Sequence, residues 1–215
     1  MNPEDPIKPF YRGVLHQWAA PVALGAGLVM VAISPNIRAM FASLIYVCSL
    51  FLLLSVSATY HRLKWGTAQQ ELYRRLDHSC IFILIGGTYT APCLLALPPG
   101  VGREVLLVVW GGSLFATLRV FFWRKAPRWV VAAPYLLLGW TGAFYRGDFI
   151  SSLLPDQLFF YFLGGLAYTA GAIFYVLRRP NLRPGVFGFH ELFHAMTIIA
   201  SAFHFAATLS LVVHA

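Results

Sequence analysis

Apolar residues dominate this chain in seven long runs, at about residues 14–34, 38–61, 77–97, 102–122, 128–145, 155–177 and 188–213. Each approaches the roughly 20 residues that a helix needs to cross the apolar core of a bilayer, the run at 128–145 being the shortest. The runs are apolar all round, as expected of helices facing lipid on one side and neighbours on the other. Helix-breaking punctuation separates them: Ser34-Pro35-Asn36, Lys64-Trp65-Gly66, Pro98-Pro99-Gly100, Ala126-Pro127, Gly147-Asp148, and Pro180 through Pro184 with Gly185. The pattern predicts an all-α fold, a bundle of seven transmembrane helices forming a single domain over residues 1–215.

Composition and charge sharpen this picture. The chain is 59% hydrophobic and 11% charged, too apolar for a soluble domain of 215 residues. Its net charge of +8 would suit nucleic acid, but the basic residues lie between the apolar runs and not on a polar face, so no nucleic-acid partner is expected. Thirteen of them fall on one side: Lys8 and Arg12; Arg62, Lys64, Arg74 and Arg75; Arg119, Arg124, Lys125 and Arg128; Arg178, Arg179 and Arg183. Three, Arg38, Arg103 and Arg146, fall on the other. The positive-inside rule then places the N-terminus in the cytoplasm and the C-terminus outside. Trp18, Trp65, Trp123 and Trp129 fall near the cytoplasmic ends, as an interfacial aromatic belt would. The first run has no small-residue cleavage site and is read as a retained span. Cys48, Cys80 and Cys93 sit in apolar runs without C-x-x-C pairing and are read as reduced packing residues.

Polar side chains inside spans are costly and need a reason. His61 ends the second span in "SVSATYH", Asp77 begins the third in "RRLDHS", and His190 and His194 occupy the first turns of the seventh in "HELFHAMTIIASAFHF". All of these ends are cytoplasmic in the orientation above, so three distant segments bring imidazoles and a carboxylate to one depth. His190 and His194 are four apart and stack about 40° apart on one helix face; Ser57 and His61 share that spacing. Three neutral imidazoles suit a catalytic type of zinc site with a fourth position left open, and a nearby carboxylate can hold or deprotonate water. The expected metal is one Zn²⁺ on His61, His190 and His194.

His190, Glu191 and His194 also read as H-E-x-x-H, the zinc-protease string. Glu191, however, points about 80° from the mean direction of the histidines. Proteases of that string share this offset, so a general base stays open beside the alternative of a helix N-terminal carboxylate, favoured by the macrodipole and able to pair with a nearby arginine. His204 shares the face of His194 but lies ~15 Å deeper, which makes it an interhelical hydrogen-bonding residue. His78 is turned about 100° from Asp77. His16 and His214, near span ends, read as interfacial. Gly86-Gly87, Gly111-Gly112 and Gly164-Gly165 fit close helix approach.

The S-x-x-x-H at Ser57–His61, the lone aspartate in "LDHSCIFILIGGTYTAP", the H-x-x-x-H in "GFHELFHAMTIIASAFHF" and the N-terminal "RGVLHQWAAPVALGAGL" together resemble the hemolysin III branch of the progestin and adipoQ receptor family. The resemblance spans nearly the whole chain. It implies a seven-helix bundle with zinc near the cytoplasmic face, the three histidines as ligands and Asp77 holding water beside the ion. It also implies kinship with alkaline ceramidases, which hydrolyse a lipid amide, and a role in membrane lipid homeostasis or cytolysis.

The expected protein is thus a multi-pass component of the inner (plasma) membrane that takes a membrane lipid as substrate or ligand. Its expected chemistry is zinc-dependent hydrolysis of a lipid amide or ester, with Asp77 as the proton acceptor and Ser57 assisting at the oxyanion. Three rivals stand beside it. One is a lipid sensor with structural zinc and no chemistry. The others are a membrane-embedded metalloprotease, whose motif order would be reversed here, and a pore-forming cytolysin, which would need a continuous polar helix face.

Overall fold

The computed structural model describes residues 9–123 and 127–215. Lys8, Arg124, Lys125 and Ala126 lie outside the described residues. Eight α-helices are described: α1 (Val14–Ala32), α2 (Ile37–Arg62), α3 (Thr67–Leu95), α4 (Pro99–Phe122), α5 (Arg128–Gly139), α6 (Arg146–Ser152), α7 (Pro155–Leu177) and α8 (Phe189–Val213), with a 3₁₀ turn at Thr141–Ala143. Six of them, α1 to α4, α7 and α8, are long and apolar enough to cross a membrane. Large apolar side chains such as Val22, Phe41, Leu114, Phe115 and Phe122 are exposed on the bundle's outer surface, as lipid-facing positions are. The chain is a multi-pass helical membrane protein.

Local chemistry sets the helix limits. Asn36 caps α2 by accepting from the Ala39 amide at 2.9 Å. Prolines open α4 and α7, where the missing N–H costs nothing. α3 begins at Thr67, ten residues before the apolar run expected at 77. Its first turns are polar but helix-favouring, and Glu71 binds Arg74 and Arg75 on the same helix face at 3.0 Å each. With 29 residues α3 is about 44 Å long, so its first turns extend beyond the apolar layer. Asp77 therefore sits in the third turn of α3, and not at its start as hydropathy suggested.

The run at 128–145 departs furthest from expectation. α5 has 12 residues and rises about 18 Å, too little to cross the ~30 Å apolar core as a helix. Pro134 lies within it and Gly139 ends it. The irregular backbone that follows is held internally: the Tyr89 hydroxyl donates to the Gly139 carbonyl at 2.7 Å and accepts from the Gly142 amide at 2.8 Å. The Trp140 indole donates to Thr169 at 3.0 Å. Irregular backbone at membrane depth is tolerated when protein groups satisfy it in this way.

α1 to α4 pack consecutively, α7 packs on α8, and α8 also touches α1, α2 and α3. α3 has the largest buried share of the candidate spans. Close approach uses small residues: a Cβ at Gly87 would overlap Ser49 of α2, and one at Gly164 would overlap the His204 ring of α8. Gly111 faces open space and has no such role.

One end of the bundle is basic. Arg62 donates to Gln17 at 3.2 Å, Arg12 pairs with Glu191, Arg75 lies over Phe121, and Arg128 lies over Tyr175 and Phe189. These contacts gather the starts of α1, α3, α5 and α8 with the ends of α2, α4 and α7. Arg38 and Arg103 line a shared surface hollow at the opposite end.

Candidate metal centre

Two helices deliver His61, His190 and His194 to the basic end. His61 lies in the last turn of α2, and His190 and His194 lie in the first two turns of α8. The His61 and His190 Nε2 atoms are 3.3 Å apart. Ring centroids are 4.9 Å apart for His61–His190, 5.0 Å for His61–His194 and 4.7 Å for His190–His194. One nitrogen from each ring falls within 4.8 Å of the other two, the one such group of potential metal ligands among the described residues.

The donor set fits a zinc ion. Tetrahedral bonds of 2.0–2.1 Å to two imidazoles put their nitrogens about 3.3 Å apart, the separation seen between His61 and His190. As a direct hydrogen bond the same distance is long. His61 and His194 are buried, where converging lone pairs without a cation have little to compensate them.

Asp77 stands beside this set without joining it. Its Oδ2 is 3.8 Å from the His61 Nε2, with 14% of the Asp77 side chain exposed. Ser57, one turn along α2 from His61, lines the same cavity as Asp77. Both residues lie beside the cluster.

Glu191 turns away from the histidines. Its side chain is fully buried, with one oxygen on the Arg12 guanidinium and the other accepting from the Gly188 amide at 2.8 Å. The H-E-x-x-H string is therefore a helix-capping carboxylate between two converging histidines. His78 does not join the cluster; its carbonyl accepts from Tyr135 at 3.4 Å. His204 makes the expected interhelical bond, Nε2 to the Tyr161 carbonyl at 3.1 Å. His214 is exposed at the far end.

His16 contradicts the interfacial reading. It is 2% exposed, and its ring stacks on His194 with centroids 4.0 Å apart and planes 2° from parallel. The His194 backbone lies close by, but neither His16 ring nitrogen has a hydrogen-bond partner of normal geometry. The available signal was "RGVLH". Gly13 takes φ +79° and passes so close to His61 that an added Cβ would lie 2.6 Å from the His61 Cβ, and this turn swings the start of α1 over the cluster. Residues Phe10 and Tyr11 bond the carbonyls of Gly185 and Val186 in the turn before α8, which ties the N-terminal segment down.

A cavity runs inward from the cluster between α2, α3, α5, α7 and α8. His16, Ser57, Asp77 and His194 line the end nearest the cluster, Leu84, Ile85 and Leu136 its wall, and Trp140, Thr169 and His204 the end farther from it.

A multi-pass helical bundle with a three-histidine cluster and a flanking aspartate at its basic end is the class that the fold and site define. The Haemolysin-III related family model matches residues 5–205, and the chain belongs to that family. It is 29% identical over 177 residues to the "Hemolysin-3" of Bacillus cereus, which covers 80% of this chain and 75% of the relative. It is 28% identical over 158 residues to the "Hemolysin-3 homolog" of Bacillus subtilis (strain 168), covering 74% and 71%. A shorter stretch of 48 residues is 46% identical to the "Heptahelical transmembrane protein ADIPOR2" of Oryza sativa subsp. japonica, covering 20% of this chain and 21% of that one.

Proposed function

We propose that this chain is a zinc-dependent hydrolase of a lipid amide or ester acting in membrane lipid homeostasis, with His61, His190 and His194 holding the ion. The observation that carries this reading is the cavity: His194 of the donor cluster and Asp77 beside it line a largely apolar chamber between helices. A structural zinc would need no chamber beside it. When bound, the ion would supply Lewis acidity, polarising a carbonyl and making water acidic near neutral pH. Asp77 accepts the proton at a carboxylate oxygen and returns it to the leaving group. Ser57, in the cavity lining with Asp77, assists at the oxyanion. The apolar walls take the acyl chain and exclude water from the reacting centre.

Two observations weigh against the rivals. Glu191, the base that a protease of the H-E-x-x-H type requires, is committed to Arg12 and Gly188. The cavity lining is mostly apolar, with Leu53, Ile81, Leu84, Ile85, Leu136 and Phe193 in it, which does not suit an aqueous pore despite the relatives' name.

We further propose seven crossings, with the basic end and the cluster facing the cytoplasm of a plasma-membrane protein. Support comes from the short α5: Arg128 at its start lies over Phe189 at the basic end, while Tyr145 beyond it bonds Glu104 in α4 at 2.8 Å. These contacts support a crossing by 128–145 in which the α-helix covers only the first part.

The test is a hydrolysis screen of amide- and ester-linked lipids with purified protein, with and without a chelator. Chelator-sensitive release of fatty acid supports the proposal. Metal-loaded protein that hydrolyses none of them, yet binds lipid, replaces it with the sensor.

A further inference from the structure

The deep end of the cavity carries a second polar feature, ten residues along α8 from His194 and so about 15 Å from the cluster. His204 lines the cavity there and is 9% exposed. Gly164 admits the Cδ2–Nε2 edge of its ring against α7. On that edge Nε2 meets the Tyr161 carbonyl at 3.1 Å. A carbonyl only accepts, so Nε2 carries the proton and Nδ1 of the neutral ring carries a lone pair. Nδ1 lies on the opposite edge, turned from α7, and it is buried without a hydrogen-bond partner. Neighbouring polar groups are already engaged: Tyr168 with Ser201 at 2.8 Å, Tyr161 with Thr208 at 3.1 Å, and Trp140 with Thr169 at 3.0 Å. A buried acceptor left unpaired is costly, and here it belongs to a residue that lines the chamber.

We propose that His204 is a specificity-determining residue: the cavity takes an acyl chain that bears a hydroxyl group at the depth of His204, and Nδ1 accepts that hydroxyl's hydrogen bond. This rests on the lipid reading of the cavity but not on catalysis. An acceptor without a proton selects a donor, so a hydroxyl is favoured over a keto group or an unsubstituted methylene. A hydroxyl beside the carboxyl group would sit at the cluster end, out of reach of His204.

The experiment measures displacement of a fluorescent fatty acid from the full-length protein in detergent. The competitors are a mid-chain hydroxy fatty acid, its unsubstituted parent and its 2-hydroxy isomer. One neutral hydrogen bond gives the mid-chain hydroxy acid about a 2- to 10-fold advantage over the other two. The advantage vanishes in His204→Leu and survives in His204→Gln, whose amide keeps both a donor and an acceptor. Equal affinities in the unaltered protein, an advantage shared by the 2-hydroxy isomer, or one that persists in His204→Leu would each overturn the proposal. So would failure of every acid to displace the probe. Preferential binding without hydrolysis of any lipid would leave this inference standing and remove the hydrolase.

Discussion

Splitting the Arg12–Glu191 pair should destabilise the bundle without emptying the metal centre. The Glu191 side chain is fully buried and that of Arg12 is 14% exposed, which places the pair far from the surface class worth 0–1 kcal/mol. Removing one partner of a buried pair costs about 3–5 kcal/mol, mostly because the other charge is stranded. Glu191→Gln retains a neutral acceptor for Arg12 and the Gly188 amide, so its cost falls lower, at about 2–4 kcal/mol. For a chain of this size that is a fall in Tm of about 5–15 °C. Arg12→Gln should cost a similar amount by stranding the carboxylate. The double variant strands nothing, so it should cost less than the two singles together, with a coupling of about 1–3 kcal/mol. The assay is thermal unfolding of all four proteins in one detergent, followed by tryptophan fluorescence, with metal content measured in parallel. Additive losses would refute the pairing. Loss of metal from Glu191→Gln alone would refute the assignment of Glu191 to the helix start and return it to the metal centre.

Asp77→Asn should keep most of the metal yet lose hydrolysis by about 10²-fold or more, whereas Glu191→Gln corrected for stability should remain active; the reverse pattern would favour the protease reading. Gly13→Ala should lower metal affinity, because a Cβ there meets His61 at 2.6 Å and the residue sits at φ +79°; titration with a competing chelator measures it. With the seven crossings proposed above, a reporter fused after Ala215 should report the outside of the cell, and a cytoplasmic signal would mean an even number of crossings.

The sequence made the cluster legible because two ordinary rules converged on it. Histidines four apart share a helix face, and the bias of basic residues sorted helix ends by side before any contact was known. Residues whose roles depend on the backbone between spans were harder to read. Asp77 was assigned to a helix start because hydropathy ends where Arg74 and Arg75 begin, although the charged turn before it is held helical by Glu71. The break after α5 lies in an apolar run and leaves no hydropathy signal; what makes it viable is Tyr89, fifty residues from Gly139, supplying the missing hydrogen bonds. His16 was set aside as interfacial because its position near a span end is all that periodicity reports. Its stacking on His194 depends on the left-handed turn at Gly13, a feature of backbone conformation that side-chain pattern does not encode.

The account's central claim is that His61, His190 and His194 form a metal site. Metal analysis of the purified protein tests it most directly, on the unaltered chain and on the His190→Ala/His194→Ala double variant, each first shown to be folded and monodisperse. The account predicts one zinc per chain in the former and loss of stoichiometric zinc in the latter. A metal-free unaltered protein that does not take up added zinc, or full zinc occupancy in the double variant, would contradict it.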